Sequence, residues 1–190
     1  MKAYRQIIGY LILTIIAGCS GIKVSQDYDS AANYSDLKTY NWQAETQKET
    51  GDVRLDNPLL DTRIRNAVED YLSGKGYRKE SEGRQNFTIS YQTTIQSKIV
   101  SDNTSFGVGV GRGSHGGRRG GVSMSSGGGV SQKDEGSLII DFTDAETGKL
   151  IWRGSGSSRI SEHSTSEKTT QLINTMVAKI LDQFPPLPKK

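Results

Sequence analysis

The chain has 190 residues, 24 of them Lys or Arg and 21 Asp or Glu, for a formal net charge of +3. That length carries one domain of ordinary size. A charge so near zero argues neither for nor against a nucleic-acid partner, and a single cysteine excludes an intrachain disulfide.

The chain begins Met1-Lys2-Ala3-Tyr4-Arg5 and continues apolar through Ile7, Ile8, Leu11, Ile12, Leu13, Ile15 and Ile16. A short basic start, an apolar middle and small residues before a cut site are the three parts of a secretory signal. The apolar run from Gln6 to Gly18 is too short to cross a bilayer, which takes about 20 residues as a helix. An ordinary exported protein with a spare thiol is the other simple account, but a free thiol is a liability in an oxidising compartment. Ile16-Ala17-Gly18-Cys19-Ser20 resembles a bacterial lipobox, with isoleucine where leucine is usual. The resemblance implies cleavage before Cys19 and acylation of both its sulfur and the new amino terminus. Ser20 in second place implies transfer to the outer membrane, on its periplasmic face. Without residues 1–18, 172 of the 190 residues remain, and with Lys2 and Arg5 gone the net charge falls from +3 to +1.

Residues 19–21 form a very short tether. Ile22, Val24 and Tyr28 then share one parity against Lys23, Ser25, Asp27 and Asp29, the period-two pattern of a half-buried strand. Leu37 to Trp42 predicts a second strand with Tyr40 and Trp42 on one face, and the polar stretch from Gln43 to Asp56 a loop. Asn57-Pro58 opens a helix: asparagine caps, and proline is tolerated at the first helical position because its missing N–H is unneeded there. Leu60, Ile64, Ala67, Val68, Tyr71 and Leu72 recur at helical spacing, with Arg63, Arg65, Asn66, Glu69 and Asp70 on the other faces. Gly74 and Gly76 stop it.

Phe87, Ile89, Tyr91, Thr93, Ile95 and Ile99 make the longest alternating run, a strand with one side buried and one wet. Beyond it, Gly107 to Gly129 is nearly half glycine, with Arg112, His115, Arg118 and Arg119 near its middle. Phe106, Val108 and Val110 on entry and Val122 and Met124 on exit still alternate, which predicts a long hairpin whose arms turn glycine-rich, with 103–133 as a flexible insertion. Leu138, Ile140 and Phe142 mark the next strand, Asp144 to Gly148 a turn, and Leu150-Ile151-Trp152 a return strand running to about Ser158. Ser164 to Glu167 has capping-box spacing. Leu172, Ile173, Met176, Val177, Ile180 and Phe184 give a second amphipathic helix, ended by Pro185-Pro186, with 185–190 as a tail.

Chemistry is sparse. Gly111-Arg112-Gly113-Ser114-His115-Gly116 matches the dinucleotide fingerprint by letter, but glycine and serine follow it rather than a helix. Arg118-Arg119-Gly120-Gly121 resembles a segment that binds single-stranded nucleic acid, without an aromatic platform and in an exported chain, so no nucleic acid is expected. A solvated flexible loop is the first reading of these arginines, which have no nearby acid, and attraction to an anionic lipid or lipopolysaccharide surface is the next. His115 and His163 are the only imidazoles, and with Cys19 acylated no Cys/His metal set remains. No nucleophile-elbow serine occurs in a strand-to-helix context.

Several segments resemble the DUF4136 family of bacterial lipoproteins: Asp27-Tyr28-Asp29, Tyr34 to Trp42, Leu60 to Tyr77 with its Lys75-Gly76-Tyr77 ending, and above all Gly136 to Asp141 through Thr147 to Gly154. The resemblance covers most of the mature chain and implies an α+β domain in the envelope; it brings no catalytic residue. The expectation is one domain over 22–184, an antiparallel sheet with two helices on one face, held by membrane lipid through acylated Cys19. It serves as a non-enzymatic binding or structural lipoprotein, with another envelope protein as partner and no cofactor beyond the covalent lipid. A carrier of an apolar ligand between helices and sheet is the alternative, and an envelope hydrolase ranks last. An apolar cavity under the helices would favour the carrier.

Overall fold

The structure, a computed structural model, describes residues 21–44, 50–81, 83–102, 106–107, 123–124, 129–161 and 164–186, with backbone alone at 98–102, 106–107, 123–124 and 129–132. In chain order the elements are β1 (Lys23–Tyr28), β2 (Thr39–Trp42), α1 (Pro58–Gly74), β3 (Arg78–Lys79), β4 (Phe87–Asp102), β5 (Phe106–Gly107), β6 (Ser123–Met124), β7 (Gly129–Asp144), β8 (Leu150–Ile160) and α2 (Ser166–Leu181). Six strands form one sheet in the order β1-β8-β7-β4-β2-β3, and β5 pairs with β6 apart from it.

The α+β class and the two helices are as the sequence predicts. The sheet is antiparallel from β1 through β8 and β7 to β4, but mixed overall, because β2 runs parallel to both β3 and β4. The cause is connectivity. Parallel neighbours need a crossover of a dozen or more residues, and α1 supplies it between β2 and β3. Strand β3 is only two residues long and polar, so period-two reasoning had nothing to detect there.

Both helix starts follow their caps. The Asn57 side chain accepts from the Leu59 N–H at 2.8 Å, with Pro58 in the first turn. In α2 the cap is Thr165, whose Oγ1 accepts from the Lys168 N–H at 3.3 Å; that is one residue later than the capping-box spacing places it. Gly76, with φ +87°, turns the chain out of α1 while the Tyr77 N–H returns to the Leu72 carbonyl at 3.0 Å, the closure that left-handed C-terminal caps make.

β4 and β7 pair without interruption from Phe87–Asp144 to Asp102–Gly129. Phe87, Ile89, Tyr91, Leu138, Ile140, Phe142 and Trp152 are all buried, and pairing puts them on one side of the sheet. Ile64, Val68 and Leu72 of α1 and Ile173, Val177 and Ile180 of α2 complete that core. The opposite side is polar: Arg153 chelates Asp141 at 2.7 and 2.6 Å, Ser25 bonds Ser155, and the Ser157 hydroxyl donates to Glu135. Among the described residues the buried core runs from Leu37 to Phe184. A chain starting at Ser20 therefore keeps all of it.

The core differs between its two ends. At one end aromatic rings fill the space: Phe142 lies 4.8 Å from Phe87, 4.9 Å from Trp152 and 4.7 Å from Phe184, centroid to centroid. Four to six residues further along the strands, the positions facing the helices are Thr93, Ile95, Gly136, Leu138, Gly156 and Ser158. There the sheet offers less volume than at the aromatic end.

Candidate ligand-binding cleft

Beside Thr93 and Gly136 a cleft of about 400 Å³ lies between the sheet and the two helices. Leu60 and Ile64 wall it from α1; Leu172, Ile173 and Met176 wall it from α2; Ile95, Leu138 and Ile160 line it from the sheet. Leu60 and Leu172 are half-buried while their neighbours one turn on, Ile64 and Met176, are buried. The apolar stripe of each helix thus continues past the point where the sheet can cover it.

The mouth is polar. Arg54, Asn57, Arg63, Ser161, Ser164 and Thr169 surround it. Arg63 Nη2 donates to Ser166 Oγ at 2.8 Å, tying α1 to the first turn of α2. Its positive charge is one of the influences, after the amide of Glu167 itself and the Thr165 hydroxyl, that hold the Glu167 carboxyl below its usual range. Arg54 braces the 50–57 loop against the sheet, reaching Asp134 Oδ2 at 2.7 Å and Asp52 Oδ2 at 2.7 Å. Ser97 Oγ also donates to Asp134, at 2.5 Å. The Ser97 hydrogen bond first, and then Arg54, keep the Asp134 carboxyl below the ordinary carboxylate range.

A depressed folded-state pKa contributes stability that is present above the unfolded value, ~3.9 for aspartate, and is lost as pH falls through the folded value. The Arg54–Asp134 brace should therefore be intact at neutral pH and release only below about pH 4. Backbone amide exchange across 50–57, followed down a pH series, checks this. Release already at pH 6 would show that the brace is not what holds the loop.

The cleft lining contains no carboxylate, imidazole or thiol among the described residues. Among the described residues no group of His, Cys, Asp and Glu could hold a metal ion, and no helix is long and apolar enough to cross a membrane. The arrangement is suited to holding an apolar body with a polar end. Among the site residues expected from sequence, Cys19, Arg112, Arg118 and Arg119 lie outside the described residues, as do His115 and His163. Arg54 and Arg63 were not singled out from sequence. The available signal was the coincidence of Thr93 and Gly136 on the helix-facing parity of two adjacent strands.

A mixed six-stranded sheet with both helices packed together on one face defines an α+β domain with an open end. The chain belongs to the DUF4136 family, a domain of unknown function, whose model matches residues 24–186. No curated protein matches it. Among solved structures it is similar to a PDZ domain protein from Parabacteroides distasonis, with a TM-score of 0.52 and 11% identity over 87% of this chain; the chain spans 36% of that protein. It is similar to a DUF4136 family protein from Bacteroides thetaiotaomicron at 14% identity and TM-score 0.47, over 86% of this chain and 96% of that one. It is also similar to the PelC dodecamer protein from Paraburkholderia phytofirmans at 12% identity and TM-score 0.45, over 84% of this chain and 94% of that one. These are likenesses of fold.

Proposed function

We propose that this protein is an outer-membrane lipoprotein on the periplasmic face, anchored through acylated Cys19, that binds an apolar ligand in the cleft without turning it over. The observation that carries the proposal is the cleft: about 400 Å³, walled by aliphatic side chains from both helices and the sheet, and open to solvent at one end. The volume falls within the ~300–1,000 Å³ typical of small-molecule sites.

Topology supports the anchored part of the proposal. Lys23 pairs with Ser157, so β1 enters the sheet at the cleft end. A chain spans at most ~3.6 Å per residue, which keeps an anchor on Cys19 within about 7 Å of Gly21. The glycine-rich insertion leaves at the same end, beyond Asp102 and Gly129. Lipid on Cys19 would hold the cleft mouth toward the leaflet, where Arg112, Arg118 and Arg119 contact anionic lipid or lipopolysaccharide, each contributing about 1 kcal/mol.

Two results are expected. The wild-type protein expressed with a clickable fatty acid should be labelled and fractionate with membranes, and Cys19→Ala should lose the label; an unlabelled wild type would remove the anchor from the proposal. The Ser20–Lys190 domain should bind a neutral fluorescent naphthylamine probe, and Leu172→Trp, which puts an indole into the cleft from a half-buried position, should weaken binding at least ~10-fold, the equivalent of about 1.4 kcal/mol. A wild-type domain that does not bind the probe would mean that the cleft is not a ligand site.

A further inference from the structure

Resting on the reading of the cleft as a ligand site, we infer that its occupant is a single-chain fatty acid, with the alkyl chain between the helices and the sheet and the carboxylate at Arg63. Two properties of the cleft select this chemistry. The first is size. A condensed-phase group as large as water takes roughly 30 Å³, and a methylene is of similar size. A space of about 400 Å³ therefore takes one chain of about a dozen carbons, and the paired chains of a diacyl lipid do not fit.

The second property is the charge at the mouth. Two arginines line the cleft, and no carboxylate lies in the lining among the described residues. The two arginines are not equivalent. Arg54 is already shared between Asp52 and Asp134. Arg63 is half-buried, its hydrogen-bond acceptor is the neutral hydroxyl of Ser166, and Glu167 is its acidic neighbour. A guanidinium has several N–H donors in a planar fork that matches a carboxylate, so most of Arg63's donors remain for a ligand. Ser164 also stands at the mouth, with a hydroxyl. The caps of both helices, Asn57 and Thr165, stand at this same end, where the helix dipoles also favour negative charge. An uncharged alkane would leave these remaining donors unused. The nearby tether places the mouth where such chains are found, at a leaflet surface.

The test is competition against the neutral probe by dodecanoic acid and by dodecanol, on the Ser20–Lys190 domain and on Arg63→Gln and Arg63→Lys. Only the acid-to-alcohol affinity ratio within each protein is read, so altered stability of a variant cancels. The wild type should prefer the acid at least ~10-fold, as one charge-assisted hydrogen bond of about 1.5 kcal/mol gives. Arg63→Lys should keep a preference, and Arg63→Gln should bring the ratio near one. Equal displacement by acid and alcohol in the wild type, or a ratio unchanged in Arg63→Gln, overturns the assignment of the carboxylate to Arg63 while leaving an apolar cleft. A probe displaced by neither compound overturns the fatty acid as occupant. A wild type that binds no probe overturns the underlying ligand site instead.

Discussion

Trp152→Ala should lower the unfolding free energy of the Ser20–Lys190 domain by about 3–5 kcal/mol, the cost of removing a large aromatic from a packed core. Trp152 is fully buried near the start of β8. Its ring sits 4.9 Å from Phe142 and 5.3 Å from Phe184, and its Nε1–H donates to Gln26 Oε1 on the edge strand at 2.9 Å. The truncation would open a void where three elements meet. Little relaxation can fill it, because Phe142 is itself held by Phe87 and Phe184. The lost hydrogen bond adds little, since Gln26 is exposed and water can replace the indole. Urea melts decide the matter. A change below about 1 kcal/mol, the scale of an ordinary surface substitution, would show that the indole is not part of the core.

Gly154→Ala should destabilise by an amount near the upper end of the ~1–3 kcal/mol range for overpacking. A Cβ at Gly154 would lie 2.3 Å from Trp152 Cη2 and 2.5 Å from Ile180 Cγ2. Both neighbours are buried, so neither can swing out to make room. Removing a glycine ordinarily stabilises by about 0.4–1 kcal/mol through the unfolded chain, which here is the smaller effect. Gly156 repeats the arrangement less severely, at 2.9 Å from Ile180 and 3.0 Å from Met176. These two glycines let α2 lie directly on β8. The clash involves Ile180 Cγ2, so Ile180→Ala, which removes that methyl, should cost less in the Gly154→Ala background than in the wild type, a coupling of ~0.5 kcal/mol or more. Strict additivity would mean that the glycine matters for another reason.

The same glycines show where the sequence was legible and where it was not. Alternation in β4 and β7 and the helical stripes of α1 and α2 depend on local neighbours, and their positions follow from periodicity alone. In β8, Gly154-Ser155-Gly156-Ser157 carries no apolar alternation, and by itself resembles the fading end of a strand. The strand continues to Ile160 because its inward positions must be small where α2 crosses. The burial signal is carried by the helix's Met176 and Ile180 rather than by the strand. The cleft was hidden for a related reason. Thr93 and Gly136 are far apart in sequence, and only the register of β4 and β7, which sets Thr93 opposite Leu138 and Ile95 opposite Gly136, brings them together under the helices. Arg63 stood among the polar residues of an amphipathic helix, and nothing local distinguishes it from Arg65. Arg65 in fact pairs with Asp61 and stacks over Trp42 on another side of α1.

Methyl NMR of the Ser20–Lys190 domain with spin-labelled dodecanoate would locate the ligand without relying on any variant. If the cleft is the site, the methyls of Leu60, Ile64, Ile95, Leu172 and Met176 should broaden together at low ligand ratios, while those of Val68, Ile89 and Leu181 at the aromatic end stay sharp. Broadening that is absent, spread evenly, or concentrated on Ile139 of the open sheet face would contradict a binding site between helices and sheet.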